Sequence, residues 1–326
     1  MFGRLAIVAV VAVLAAGSAR AAPSPEAQVY FDRALDLLRA QHINTAQADW
    51  AAIEADARAV MAEARTMQDT YGAIRLVIER LGERHTFLAE PRPPAPGPAA
   101  QVGVPASADV PMPATRLLEG GIGYAALPTL DSVMGAAGIG ERYLAALRDG
   151  LQAIDQDARC GWIVDLRGNG GGNMWPMLQG LDPLLGDGPF GQFVVATDPV
   201  AWRRTANGIL PMAGAADESG PAFTLEHGDA PLAVLFGPQT ASSGEMVAIA
   251  FVGRDDVRTF GAPSAGLTTA NVPVPLGDGA VLAITVSKVG DRTGRVYDGA
   301  MAPDEQTGVE NAESAARAWL AARCPA

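Results

Sequence analysis

Apolar positions recur at helical spacing through residues 26–83: Tyr30, Ala34, Leu37 and Leu38, then Ile53, Val60 and Met61, then Ile74, Val77, Ile78 and Leu81. Steps of three and four residues predict helices that each turn one apolar stripe to a neighbour. Capping residue types start the second helix after Thr45 and the third after Thr66. Residues 91–113 break the pattern with eight prolines and no periodicity, which predicts a stiff linker over 91–116. Beyond it the period changes. Apolar runs at 122–127, 161–166, 193–196, 232–236, 257–260 and 281–286 read as strands. Helical stretches fall around 142–154, 244–251 and 310–323. Strands alternating with helices predict an α/β core over 117–326, preceded by an N-terminal helical module over 23–90.

The first 22 residues read as a signal peptide rather than as part of the fold. Arg4 supplies a positive start, Leu5 to Ala16 an apolar run, and Ala19-Arg20-Ala21 a small-residue cleavage signal near Ala21/Ala22. The run is too short for a spanning helix, so the expected product is periplasmic or secreted, with no membrane span after cleavage. The formal charge of −12 becomes more negative once Arg4 and Arg20 are removed. Such a surface has no electrostatic reason to bind nucleic acid. Two cysteines, Cys160 and Cys324, are permitted to form a disulfide in an oxidising compartment; two separately buried thiols are the alternative. His42, His85 and His227 are far apart and no H-E-x-x-H occurs, which argues against a zinc site. No metal and no cofactor are implied.

Candidate chemistry begins at Ile163-Val-Asp-Leu-Arg-Gly-Asn-Gly-Gly-Gly172, where an apolar strand runs into a glycine loop. Glycines permit positive φ and close backbone approach, and a row of unhindered N–H groups suits a developing negative charge. A plain strand-to-helix turn explains such a loop equally well. A phosphate loop does not, because that pattern needs Gly-Lys-Ser/Thr and the sole lysine is Lys288. Asn173 likewise breaks a G-x-G-x-x-G fingerprint.

A nucleophile is available in Thr240-Ala-Ser-Ser-Gly-Glu245, which follows the run at 232–236 and opens an apolar helix. A serine there is exposed at the positive end of the helix dipole, and the backbone N–H of Ser243 can face an oxyanion. Ser242 and Glu245 also have the S-x-x-E spacing of a capping box, which by itself is the commoner use of such a serine. A base is needed, and His85 in Gly82-Glu-Arg-His-Thr-Phe-Leu88 remains by elimination, although a lone histidine there is ordinarily a solvated loop residue.

Taken together, these segments resemble the C-terminal-processing, or tail-specific, serine peptidases. The resemblance rests on residues 82–88, 165–172 and 240–245, with Phe260 to Thr269 and Gly299-Ala-Met-Ala-Pro-Asp304 in the same order. It implies a crotonase/ClpP-like spiral α/β core that hydrolyses peptide bonds of polypeptide substrates. Ser242, three residues before the acidic position, would be the nucleophile, with oxyanion donors from Gly170 or Gly171 and from Ser243. Many relatives use a lysine 25 residues after the serine, where this chain has Leu267. The better match is the subgroup resembling tricorn and the retinoid-binding repeats, in which an upstream histidine, here His85, is the base. The glutamate that orients the site in that subgroup falls near Tyr297, so Asp298, or else Asp291, is the expected substitute. Only about 30 residues separate Phe87 from Gly120, too few for the PDZ domain such peptidases usually carry. Peptide binding is then expected by strand addition beside the glycine loop. A non-catalytic protein binding peptides or apolar ligands, and a hydrolase of esters or amides, are the competing readings.

Overall fold

The computed structural model describes residues 22–91, 110–130, 138–195, 199–205, 208–209 and 223–324. The expected signal peptide, apart from Ala22, and most of the proline-rich stretch lie outside the described residues.

Three helices open the chain: α1 (Pro25–Gln41), α2 (Trp50–Val60) and α3 (Tyr71–Arg80). Both later helices start downstream of their expected caps. The Thr45 hydroxyl donates to the Arg39 carbonyl at 2.6 Å, and Asp49 caps α2 by accepting from Ala52 N–H at 3.2 Å. Thr66 instead closes a local turn with Asp69, each accepting from the other's backbone N–H.

Two sheets follow. The first contains β2 (Ala114–Leu118), β3 (Ile122–Ala126), β4 (Trp162–Asp165), β8 (Leu232–Phe236) and β9 (Val257–Gly261), in that spatial order. β3, β4, β8 and β9 run parallel, and β2 is an antiparallel edge on β3. The linker therefore ends earlier than expected, because Ala114 already pairs with Ala126. Every residue of β4 and β8 is buried, as expected for parallel strands covered on both faces. On one face lie α4 (Ile139–Ile154), α5 (Met174–Gly180) and α6 (Ser243–Phe251); on the other, α7 (Ala312–Ala321) packs on Ile163, Ala233 and Leu235. A disulfide joins Cys160 to Cys324, tying the entry to β4 to the end of α7 across 164 residues.

The second sheet is organised around β11 (Val281–Gly290). This strand pairs with β1 (Phe87–Ala89), β5 (Pro189–Val194), β10 (Thr269–Pro275) and β12 (Val296–Tyr297), all antiparallel. β6 (Pro199–Thr205) and β7 (Gly208–Ile209) extend it beyond β5. The N-terminal helices do not close a core of their own: Phe31, Leu35, Ile74 and Val77 share one buried cluster with Leu276, Leu282 and Ile284. Asp278, at the β10–β11 turn, accepts from the Tyr30 and Tyr71 hydroxyls at 2.6 and 2.5 Å. This apolar packing and these polar ties hold β1, and with it His85, against β11.

Candidate active site

Ser242 is the N-cap of α6, with φ 53° and ψ −123°, a left-handed conformation that costs a non-glycine residue about 1–3 kcal/mol. Glu245 holds it there. Its carboxylate is fully buried and accepts from Ser242 N–H at 2.9 Å, Gly266 N–H at 2.8 Å, Leu267 N–H at 2.8 Å and the Ser264 hydroxyl at 2.5 Å. Burial pushes the Glu245 carboxyl above the usual carboxylate range, and these four donors pull it back. Ser242 and Glu245 form the capping box, the carboxylate reaching back to the N-cap N–H and the serine oxygen facing the backbone N–H of Glu245, while the hydroxyl proton is left for another partner.

That partner is His85. Its Nε2 lies 2.9 Å from Ser242 Oγ across 157 residues of sequence, and its Nδ1 lies 2.8 Å from Thr269 Oγ1. The chain around the ring is held from both sides. Glu83 accepts from His85 N–H at 2.9 Å and from Thr86 N–H at 2.8 Å, and the Thr285 hydroxyl donates to the same carboxylate at 2.7 Å. Asn271 Nδ2 donates to the His85 carbonyl at 2.7 Å. Burial lowers the imidazole pKa below its ordinary value, with Glu83 and Thr269 opposing that shift. A neutral ring with hydrogen on Nδ1 donates to Thr269 and accepts the serine proton at Nε2, the assignment consistent with both contacts.

The glycine loop reaches the same place from β4. A Cβ on Gly171 would stand 2.8 Å from Ser242 Cβ and 2.9 Å from the Ala241 carbonyl, and Gly171 has φ 107°. No other residue type satisfies both the space and the conformation. The Gly171 N–H donates to Asn169 Oδ1 at 2.9 Å, and the Gly170 N–H to Thr129 Oγ1 at 2.7 Å. Of the expected oxyanion donors, the Ser243 N–H alone has no acceptor among the described residues, as befits the first residue of a helix. The Ser243 hydroxyl donates to the Gly172 carbonyl at 2.6 Å, fastening loop to helix and separating its task from that of Ser242.

Three expectations need correction. Asp298 does not orient His85: its exposed carboxylate pairs with Lys288 Nζ at 2.7 Å. Asp291 is buried but accepts from Thr293, Arg295 and the Tyr297 hydroxyl after β11. Thr269 stands where a carboxylate was expected, and no sequence signal singled it out from Thr268 beside it. Gly171, finally, does not offer a free N–H, because the Asn169 side chain two residues back folds onto it.

Serine, imidazole and a glycine loop thus converge in one place, at the ends of β4 and β8. The chain belongs to Peptidase family S41, whose family model matches residues 121–307. It is 40% identical over 161 residues to the nisin-resistance protein of Lactococcus lactis subsp. lactis, a match spanning 49% of each chain. This chain thus aligns with about half the length of that relative. In fold it is similar to a lipoprotein from Streptococcus agalactiae (TM-score 0.74, 22% identity, 92% of this chain and 98% of that one). It is also similar to the photosystem II D1 C-terminal processing protease (TM-score 0.56, 17% identity, 88% and 94%). Among the described residues no helix is long and apolar enough to cross a membrane.

Proposed function

We propose that this protein is an exported serine peptidase of the histidine-dependent kind, without a PDZ domain, acting through an acyl-enzyme at Ser242. The observation carrying this reading is the 2.9 Å contact between His85 Nε2 and Ser242 Oγ, with Nδ1 held by Thr269. In the first step His85 takes the hydroxyl proton as Oγ attacks the peptide carbonyl, and the tetrahedral oxygen turns to the Ser243 N–H. The Gly170 N–H joins it when the Thr129 hydroxyl rotates away. The imidazolium then protonates the leaving amine, and water, activated by the same ring, releases the acid product. The Cys160–Cys324 disulfide supports an oxidising destination.

The test is labelling by a fluorophosphonate, a small serine-directed probe, followed by digestion of denatured casein and of nisin. Nisin is included because one relative is named for resistance to it. Wild-type protein is expected to be labelled at Ser242, and His85→Ala to lose labelling. Labelling elsewhere, or casein and nisin left intact by a labelled enzyme that cleaves small esters, overturns the reading.

A further inference from the structure

His42 takes no part in the chemistry described above, yet it is 1% exposed at the C-terminal end of α1. Its Nδ1 accepts from the Asn44 N–H at 3.0 Å, so the neutral ring carries its hydrogen on Nε2. Nε2 is buried without a partner among the described residues. An imidazolium carries hydrogen on both nitrogens. Protonation would therefore set a second donor against the Asn44 N–H and bury a charge. Burial accordingly lowers the His42 pKa, and the Glu83 charge opposes that shift. The other charged groups on the elements around it are engaged elsewhere or turned to solvent. Arg39 of α1 pairs with Glu54, Arg80 of α3 with Asp56 and Lys288 of β11 with Asp298. Asp278 holds the Tyr30 and Tyr71 hydroxyls, and Asp36 and Glu79 are exposed.

The turn that His42 opens is where the attachments of the base half meet. The Ile43 N–H donates to the Thr285 carbonyl on β11 at 2.9 Å, and Asn44 Nδ2 donates to the Leu81 carbonyl after α3 at 2.9 Å. The Thr45 N–H returns to the His42 carbonyl at 2.9 Å. Thr285 and Leu81 bracket the segment that carries the base. The Thr285 hydroxyl donates to Glu83, which holds the His85 N–H, and Leu81 starts the stretch leading to His85. A proton on His42 that breaks the Asn44 contact thus slackens both attachments at once.

We propose that His42 is a positioning residue for His85, holding the base against Ser242 while its own ring is neutral and releasing it when that ring takes up a proton. The proposal rests on the peptidase reading, and its test has one arm that needs no catalysis. Two rings then switch the site off in acid. Fluorophosphonate labelling of wild-type Ser242 should fall about a hundredfold per pH unit below both pKa values, and about tenfold per unit in His42→Asn. Asparagine offers Oδ1 in place of Nδ1 and does not titrate; His42→Gln serves should that variant fold poorly. The second arm is amide hydrogen exchange in His85→Ala protein, where the other buried ring is gone. After correction for intrinsic rates, residues 81–87 should exchange about tenfold faster relative to α4 at about pH 5 than at about pH 7. Adding His42→Asn should abolish that acceleration. A one-proton limb in wild-type protein, or an acceleration that persists without His42, overturns the proposal. Absence of labelling at every pH overturns the peptidase reading alone, and the exchange result then decides on His42.

Discussion

The two halves of the candidate dyad are held in different ways. Ser242 is fixed by neighbours close in sequence: Glu245 three residues on, and Gly266 and Leu267 reaching the same carboxylate from 21 and 22 residues away. His85 has one local tie, its N–H to Glu83, but its ring and carbonyl are fixed from afar by Thr269 and Asn271, 184 and 186 residues downstream, and Glu83 is itself held by Thr285, 202 residues on. The serine side is a buried strand–turn–helix that forms wherever β8 and α6 form. The histidine side exists only when the N-terminal helices dock on β11, so it is the more conditional half of the site.

Substitutions that break either half chemically should give the largest effect. Ser242→Ala and His85→Ala are each expected to reduce kcat/KM for a peptide substrate by roughly 10⁶-fold, while Ser243→Ala retains most activity. A Ser243→Ala enzyme as inactive as Ser242→Ala would show that the two hydroxyls have been assigned the wrong way round.

Glu245→Ala separates stability from chemistry on the serine side. It leaves four donors buried without an acceptor, each loss costing about 1–3 kcal/mol, so a destabilisation of at least about 3 kcal/mol is expected in urea unfolding. An unchanged midpoint would mean that the turn at Ser242 does not depend on this carboxylate.

Thr269→Val probes the histidine side with little change of shape. It strands the Nδ1–H in a buried setting, and about 1–3 kcal/mol of lost alignment corresponds to a ten- to hundredfold fall in kcat. Thr269→Ser should restore most of it. Equal activity of the Val and Ser variants would exclude a positioning role for the hydroxyl.

The smallest effect is a pH shift. Burial lowers the His85 pKa and the Glu83 charge raises it. Wild-type activity should therefore persist below the pH at which an ordinary histidine base is lost, since the neutral ring survives to lower pH. Glu83→Gln removes the raising charge, so the acid limb of kcat/KM should move to still lower pH. Movement to higher pH would contradict the electrostatic role given to Glu83.

Much of the core was legible from residues alone. The runs at 122–127, 161–166 and 232–236 became β3, β4 and β8 with ends shifted by at most a residue, because fully buried parallel strands leave continuous apolar runs. β10 was not legible: Pro273 and Pro275 disguise it, and it is held only by its partner β11. β1 was missed for the same reason, being three residues long with its pairing supplied by Ala283, Leu282 and Val281. The orienting residue was misplaced because Asp298 carries the right chemistry in the right stretch of sequence. Its exposed neighbour Lys288 claims it instead.

What the sequence by itself determined is the local chemistry: glycines where the backbone must touch Ser242, a serine at a helix start, a glutamate three residues later, and the motifs of Peptidase family S41. These are short-range requirements of backbone conformation and hydrogen bonding, and they leave marks at fixed spacing. What only the tertiary structure decided is which groups meet across long separations. His85 faces Ser242, and Thr269 stands behind it where a carboxylate was expected. Those contacts depend on how β1, β10 and β11 pair and on what the N-terminal helices cover, and strand pairing at a separation of 200 residues leaves no periodic trace in the chain.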